Sequence, residues 1–316
     1  MIGIVGAGAF GTALGIALAR DGVPVCLYGR NVGEIARTRE NTRYLPGIPL
    51  PAPLHVTGNA ADLGDASVIL LAAPMQILRD ALAPLIETLN RKPLVACCKG
   101  IELDSGLGPT ALIKQACPAS VPAILTGPSF AADLADGLPT ALTLGCADRT
   151  VAKTLQDQLS CQTMRLYSTT DVTGAELGGA LKNVIALAAG LTIGAGLGES
   201  ARAAVVTRGF AEMGRFASLR GARLETLAGL SGLGDLLLTA TSEKSRNYAA
   251  GLAIGRGESP PKATTEGVAT AQAMARIAKR DGLDMPLTQM VSSVVLGQMS
   301  VDDAKRALLA RPLKEE

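Results

Sequence analysis

A chain of 316 residues, 48% apolar and 18% charged, has material for two packed cores and lacks the composition of a disordered polypeptide. A net charge of +2, no Trp and only four Tyr and four Phe exclude the basic, aromatic-laced surface of a nucleic-acid binder. Six cysteines (Cys26, Cys97, Cys98, Cys117, Cys146, Cys161) are scattered without CxxC spacing, which argues against both a zinc site and a disulfide framework.

Met1 runs straight into Ile2-Gly3-Ile4-Val5, without the basic leader and small-residue cleavage site of a secretory peptide, so a cytoplasmic location is expected. Ile2 to Val5 reads as a strand, Thr12 to Asp21 as a helix closed by Gly22, and Val25 to Tyr28 as a second strand. Residues 41–53 carry Pro46, Pro49, Pro51 and Pro53 and can be neither regular helix nor central strand. Ser67 to Ala72, Pro93 to Cys98, Pro122 to Thr126 and Thr140 to Leu144 read as further strands with helical segments between them. That alternation predicts a parallel sheet covered on both faces. After Asp171, Leu177, Leu181, Val184, Ile185, Ala188 and Leu191 recur at helical spacing, and helix signals dominate to Ala310 with no convincing strand. The expected architecture is α/β: a doubly wound, Rossmann-like dinucleotide domain over residues 1–172, then an all-helical substrate domain over 173–316. The apolar stretch Val184 to Leu197 is short and flanked by Lys182 and Glu199, so it reads as a buried helix and no integral membrane span is expected.

Gly6-Ala7-Gly8-Ala9-Phe10-Gly11 is a G-x-G-x-x-G between the first strand and the first helix. There Gly6 permits the tight turn, Gly8 lets the backbone approach a pyrophosphate, and Gly11 lets helix and strand pack closely. The helix N-terminus then offers free N–H groups to phosphates. A site for NAD usually ends the second strand in an acid that accepts from the ribose hydroxyls. Here Tyr28 is followed by Gly29-Arg30-Asn31, and a guanidinium suits the 2′-phosphate of NADP. NADP is therefore favoured over NAD, which stays open; a solvated surface arginine is the plainer reading of Arg30.

The single histidine, His55, follows the proline-rich loop, enters a strand-like run and lies far in sequence from every glycine motif. A Ser-His-Asp triad, a His-rich metal site or a histidine acid/base would have to be built around it alone. None of the four tyrosines has a lysine four residues later, which removes the short-chain dehydrogenase pattern. Lysine remains for proton transfer. Lys99 sits at the carboxyl end of a strand, where ligands gather in open α/β sheets, or is a surface lysine there. Lys182 interrupts an apolar helix near the domain junction, as a functional group or with only its stem buried. Lys244, in Ser242-Glu243-Lys244-Ser245, reads as solvated. Asp235 in Gly232-Leu233-Gly234-Asp235 is most simply a helix N-cap. Ser245-Arg246-Asn247 combines a hydroxyl, a planar guanidinium and an amide, suited to a phosphate or to a solvated helix face.

The order GAGAFGTA, NTRYLPG, KGIE, GPSFA, ELGGALKNVIA, GLGDLLLT, SRN and TEG resembles the bacterial-type NAD(P)-dependent glycerol-3-phosphate dehydrogenases from Gly3 to Gly267. The resemblance implies interconversion of sn-glycerol 3-phosphate and dihydroxyacetone phosphate in support of glycerophospholipid synthesis, and it leaves a homodimer open. It also implies that Lys182 accepts the proton from the carbon-2 hydroxyl, that Asp235 orients it and that Lys99 contacts substrate and cofactor. Gly127, Ser129, Ser245, Arg246 and Asn247 match substrate positions. Gly6, Gly8, Ala9, Phe10, Gly11, Arg30, Ala131, Arg246, Thr264 and Glu266 match cofactor positions. Ala9 stands where many members have Ser, and Thr264 where Val is expected. The rivals are a related β-hydroxyacid dehydrogenase, against which the GPSF, GLGD and SRN motifs speak, and a dinucleotide-sensing regulator without turnover.

Overall fold

A computed structural model describes residues 1–261 and 265–309. Among the described residues, eight strands form one sheet: β1 (Ile2–Val5), β2 (Val25–Tyr28), β3 (Leu54–Thr57), β4 (Val68–Leu71), β5 (Pro93–Ala96), β6 (Val121–Thr126), β7 (Thr140–Cys146) and β8 (Met164–Thr169). Their order is β3-β2-β1-β4-β5-β6-β7-β8. The first six are parallel and follow the doubly wound dinucleotide-binding order, which reverses between β1 and β4 and opens a crevice at their carboxyl ends. Both faces are apolar because both are covered. Val68 and Leu70 of β4 face one core with Leu14 and Leu18, while Ile69 and Leu71 face the other with Met75 and Leu82.

Two features depart from the expected parallel sheet. β7 pairs antiparallel with β6, with Ala123 opposite Cys146 and Thr126 opposite Thr143, and β8 then follows β7 in parallel. The link between β6 and β7 contains only the helix Ala131–Ala135. With so short a helix between the two strands there is no full helical crossover of the βαβ kind, and the antiparallel pairing is compatible with that. The second departure is β8 itself, a strand not expected from the sequence.

Beyond β8 the described chain is helical. The helix Val172–Gly194 is N-capped by Asp171, whose Oδ1 accepts the Gly174 N–H at 2.8 Å, and it is long and apolar enough by composition to cross a membrane. Most of it is buried inside the molecule. It lies against the helix Arg246–Gly255 at backbone distance: a Cβ on Gly190 or Gly194 would overlap the carbonyl of Tyr248 or Leu252, and one on Gly251 or Gly255 that of Leu187 or Leu191. Glycines four residues apart on each helix thus fix how Lys182 sits relative to Arg246. Further helices, Gly198–Leu219, Glu266–Asp281 and Pro286–Val295, complete this half; the last described helix is Val301–Leu309, and Ala310 lies outside the described residues.

Candidate active site

The glycine loop leaves β1 and enters the helix Ala9–Arg20 with Gly8 as its N-cap. Gly6 has φ +113°, and a Cβ there would lie 2.9–3.0 Å from the backbone of Ala72 and Ala73. At Gly11 a Cβ would overlap the Gly6 carbonyl oxygen, whereas at Gly8 it would meet nothing within 4 Å. The first and third glycines are therefore demanded by the protein's own packing, and the second faces open space at the helix N-terminus. Ala9 and Phe10 are partly buried beside it. Buried Asn41, from the NTRYLPG stretch, steadies the loop by donating to the Ala7 carbonyl at 3.1 Å and the Thr12 hydroxyl at 2.8 Å. Arg30 is exposed just beyond β2 and makes no ion pair with another described residue.

Lys99, Lys182 and Asp235 meet where the carboxyl end of the sheet abuts the long helix. Lys182 Nζ lies 2.9 Å from Asp235 Oδ1, and Lys99 Nζ pairs with Asp235 Oδ2. The carboxylate is 1% exposed and the Lys182 side chain 6%, so neither charge is shared with solvent. Asp235 does not act as a cap: it is the first residue of the helix Asp235–Ala240, Gly234 occupies the N-cap position, and its carboxylate is spent on the two ammonium groups. Burial pushes the Lys182 pKa down to about 8; the Lys99 and Arg246 charges add to the lowering, while Asp235 opposes it.

The other candidates ring this cluster. The Gly127 carbonyl, in a residue at φ +140°, accepts from Lys99 Nζ at 2.9 Å and from the Ser129 hydroxyl at 3.3 Å. Ala131 opens the following short helix. Ser245 N-caps the helix Arg246–Gly255 by accepting the Tyr248 N–H, which leaves its own O–H free to donate. Arg246 is exposed. Asn247 is already engaged: its Nδ2 donates to Asn183 Oδ1 and its Oδ1 accepts the Gly267 N–H, both at 2.9 Å, leaving one amide proton. Glu266 reaches from the helical half to the Met75 N–H at 3.0 Å, while its Oε2 is buried without a hydrogen-bond partner and burial raises its pKa. Thr264 lies outside the described residues.

Three residues around the site had no role in the sequence reading. Asn183 stands beside Lys182 and orients Asn247. Asn41 holds the glycine loop. The Thr126 hydroxyl is buried and unpartnered, with a hypothetical Cβ on Gly179 as close as 2.5 Å. His55, by contrast, is an exposed residue of β3, 3.6 Å from Asp62 and apart from these groups.

The chain that carries this glycine loop and buried lysine pair has known relatives. Residues 1–152 match the N-terminal model, and 171–306 the C-terminal model, of NAD-dependent glycerol-3-phosphate dehydrogenase. A glycerol-3-phosphate dehydrogenase [NAD(P)+] of a Ruegeria species is 58% identical over 319 aligned positions, covering 100% of this chain and 99% of its own. That of Paracoccus denitrificans is 57% identical, with 100% and 99% covered. The crystal structure of glycerol-3-phosphate dehydrogenase from Coxiella burnetii superposes with a TM-score of 0.93 at 34% identity over 98% of each chain. With both halves matched and relatives this similar along its whole length, the chain belongs to the NAD-dependent glycerol-3-phosphate dehydrogenase family.

Proposed function

We propose that this chain transfers hydride between NAD(P)H and dihydroxyacetone phosphate, making sn-glycerol 3-phosphate reversibly for glycerophospholipid synthesis. Residues 1–172 would bind the nucleotide and 173–316 the substrate, in a cytoplasmic enzyme assembling as a homodimer. The observation that carries the reading is the buried Lys182–Asp235–Lys99 cluster at the carboxyl end of the sheet.

The residues present fit a dinucleotide. Gly8 leaves open space at a helix N-terminus, Arg30 is free for a 2′-phosphate, and Glu266 holds an unpartnered buried oxygen beside Gly100. The bound reduced nicotinamide supplies the hydride. Lys182 holds the proton: with a pKa near 8 it is mainly ammonium at neutral pH, ready to protonate the ketone oxygen, and a modest rise in pH frees it to accept the proton back. Asp235 fixes the direction of that ammonium and keeps it charged. Two lysines and Arg246 outnumber the carboxyl groups of Asp235 and Glu266 and leave the site net positive, as a phosphorylated substrate requires. Arg246, the Ser245 O–H and the remaining Asn247 amide proton follow one another at one helix start and would hold the phosphate so that carbon 2 faces the nicotinamide.

The test is NADPH oxidation with dihydroxyacetone phosphate and with free dihydroxyacetone. Arg246→Ala should lower kcat/KM for the phosphorylated ketone by roughly 10- to 150-fold, the equivalent of a lost charge-assisted contact of about 1.5–3 kcal/mol. It should do little to the poor reaction with the free ketone. Equal loss for both would place the phosphate elsewhere.

A further inference from the structure

Lys244, which the sequence assigns to solvent, has a partner across the cleft. Its Nζ donates to Asp133 Oδ1 at 3.0 Å and stands 5.9 Å from the centroid of the Phe130 ring. Asp133 and Phe130 belong to the nucleotide half: Phe130 follows Ser129, and Asp133 lies on the short helix that packs against the dinucleotide helix Ala9–Arg20. Lys244 belongs to the helical half and directly precedes Ser245, Arg246 and Asn247. The same GPSF segment meets the helical half a second time, where a Cβ on Gly234 would stand 3.8 Å from Pro128 Cδ. One strand-to-helix connection therefore spans from the residue before Asp235 to the residue before the phosphate-gripping segment.

We propose that Lys244 is a positioning residue for substrate: its bridge to Asp133 moors the Ser245–Asn247 segment to the nucleotide half and holds the cleft at the width the phosphorylated ketone needs. The proposal rests on the placement of the phosphate at Arg246. An exposed pair of this kind adds little to global stability, because the Lys244 side chain is 65% exposed and surface ion pairs contribute weakly. Its leverage is geometric. It also neutralises Asp133, and the aromatic face under the ammonium favours the same position.

The experiment is a charge-reversal cycle on the full enzyme: Lys244→Asp, Asp133→Lys and the double variant, with Lys244→Met as the neutral control. All are assayed with NADPH and dihydroxyacetone phosphate. Lys244→Met should raise KM for the ketone about two- to five-fold, the size of an exposed ion pair, with a smaller change in kcat and in NADPH affinity. Lys244→Asp should be worse, and the double variant should recover most of the loss, since the bridge re-forms with its charges exchanged. Thermal midpoints near that of the wild type would confirm that every variant is folded. If the double variant is as impaired as Lys244→Asp alone, Lys244 acts on the substrate itself and the mooring is wrong. A wild-type KM in Lys244→Met, or a loss confined to kcat, also overturns it. Failure of the wild type to turn over dihydroxyacetone phosphate would instead refute the proposed function, so the two failures are distinct.

Discussion

The glycine loop is six consecutive residues, and what it offers an anion is backbone: free N–H groups at a helix start beside a glycine with open space above it. The lysine–aspartate cluster is three side chains from distant segments, Lys99 and Asp235 being 136 residues apart. One site is specified by what its residues lack, the other by charges that only the complete fold brings together. The first should be sensitive to added atoms and indifferent to charge. The second should respond to charge and, at Lys182, leave the nucleotide alone.

The sharpest separation is expected at Lys182. Lys182→Met should cut turnover by roughly 10²–10⁴, the contribution of a positioned acid/base. NADPH affinity should stay within about three-fold, read from nicotinamide fluorescence in a chain that has no Trp. Turnover near wild type would remove Lys182 from proton transfer. A weaker blow should separate the cofactors: Arg30→Ala should raise the KM for NADPH about 10- to 150-fold and that for NADH far less, since only the former has a 2′-phosphate. An equal loss would show that Arg30 merely supports its loop.

The pH dependence follows from Lys182 near 8. Ketone reduction needs the ammonium and should fall about tenfold per unit above pH 8, whereas alcohol oxidation needs the free amine and should fall at that slope below it. Because Asp235 raises this pKa and Lys99 lowers it, Asp235→Asn should move the inflection to lower pH and Lys99→Met to higher pH. Inflections that ignore both substitutions would assign the titration to another group. The smallest effect on folding should come from the loop. Gly8→Ala, at φ −79° with room for a Cβ, should keep the wild-type thermal midpoint while weakening NADPH; Gly11→Ala should lower the midpoint as well. Equal midpoints would mean that packing at Gly11 is looser than its geometry implies.

The contiguous site was the legible one. The G-x-G-x-x-G carries its geometry in its spacing, and Ile2–Val5 and Val25–Tyr28 stand at the positions their apolar runs indicate. The reversal of β7 was not legible, because a strand's own residues do not encode the direction of its neighbour. β8 was missed for a different reason: as an edge strand it buries Met164 and Leu166 and exposes Arg165 and Tyr167, so its polar half hid an alternation that was there to be read. The residue types of the cluster were visible at Lys99, Lys182 and Asp235, but the pairing of Asp235 with Lys182 was implied only by the family resemblance and by nothing in the local sequence. The N-cap reading of Asp235 failed because a local rule cannot see two lysines arriving from elsewhere. Lys244 is exposed, as its polar surroundings indicate, but its partner Asp133, 111 residues away, could not be read from them.

The glycine-lined contact between Val172–Gly194 and Arg246–Gly255 has a consequence for synthesis. A ribosome releases the 23-residue apolar helix well before the helix that covers it, since Asn183 emerges 64 residues ahead of Asn247. During that interval the nascent chain displays a segment long and apolar enough, by composition, to cross a membrane. Lys182 near its middle is then a charge without its carboxylate, which disfavours entry into a bilayer until Asp235 arrives. The residue proposed to move the proton is thus also the one charge inside the helix's apolar length, residues 177–194.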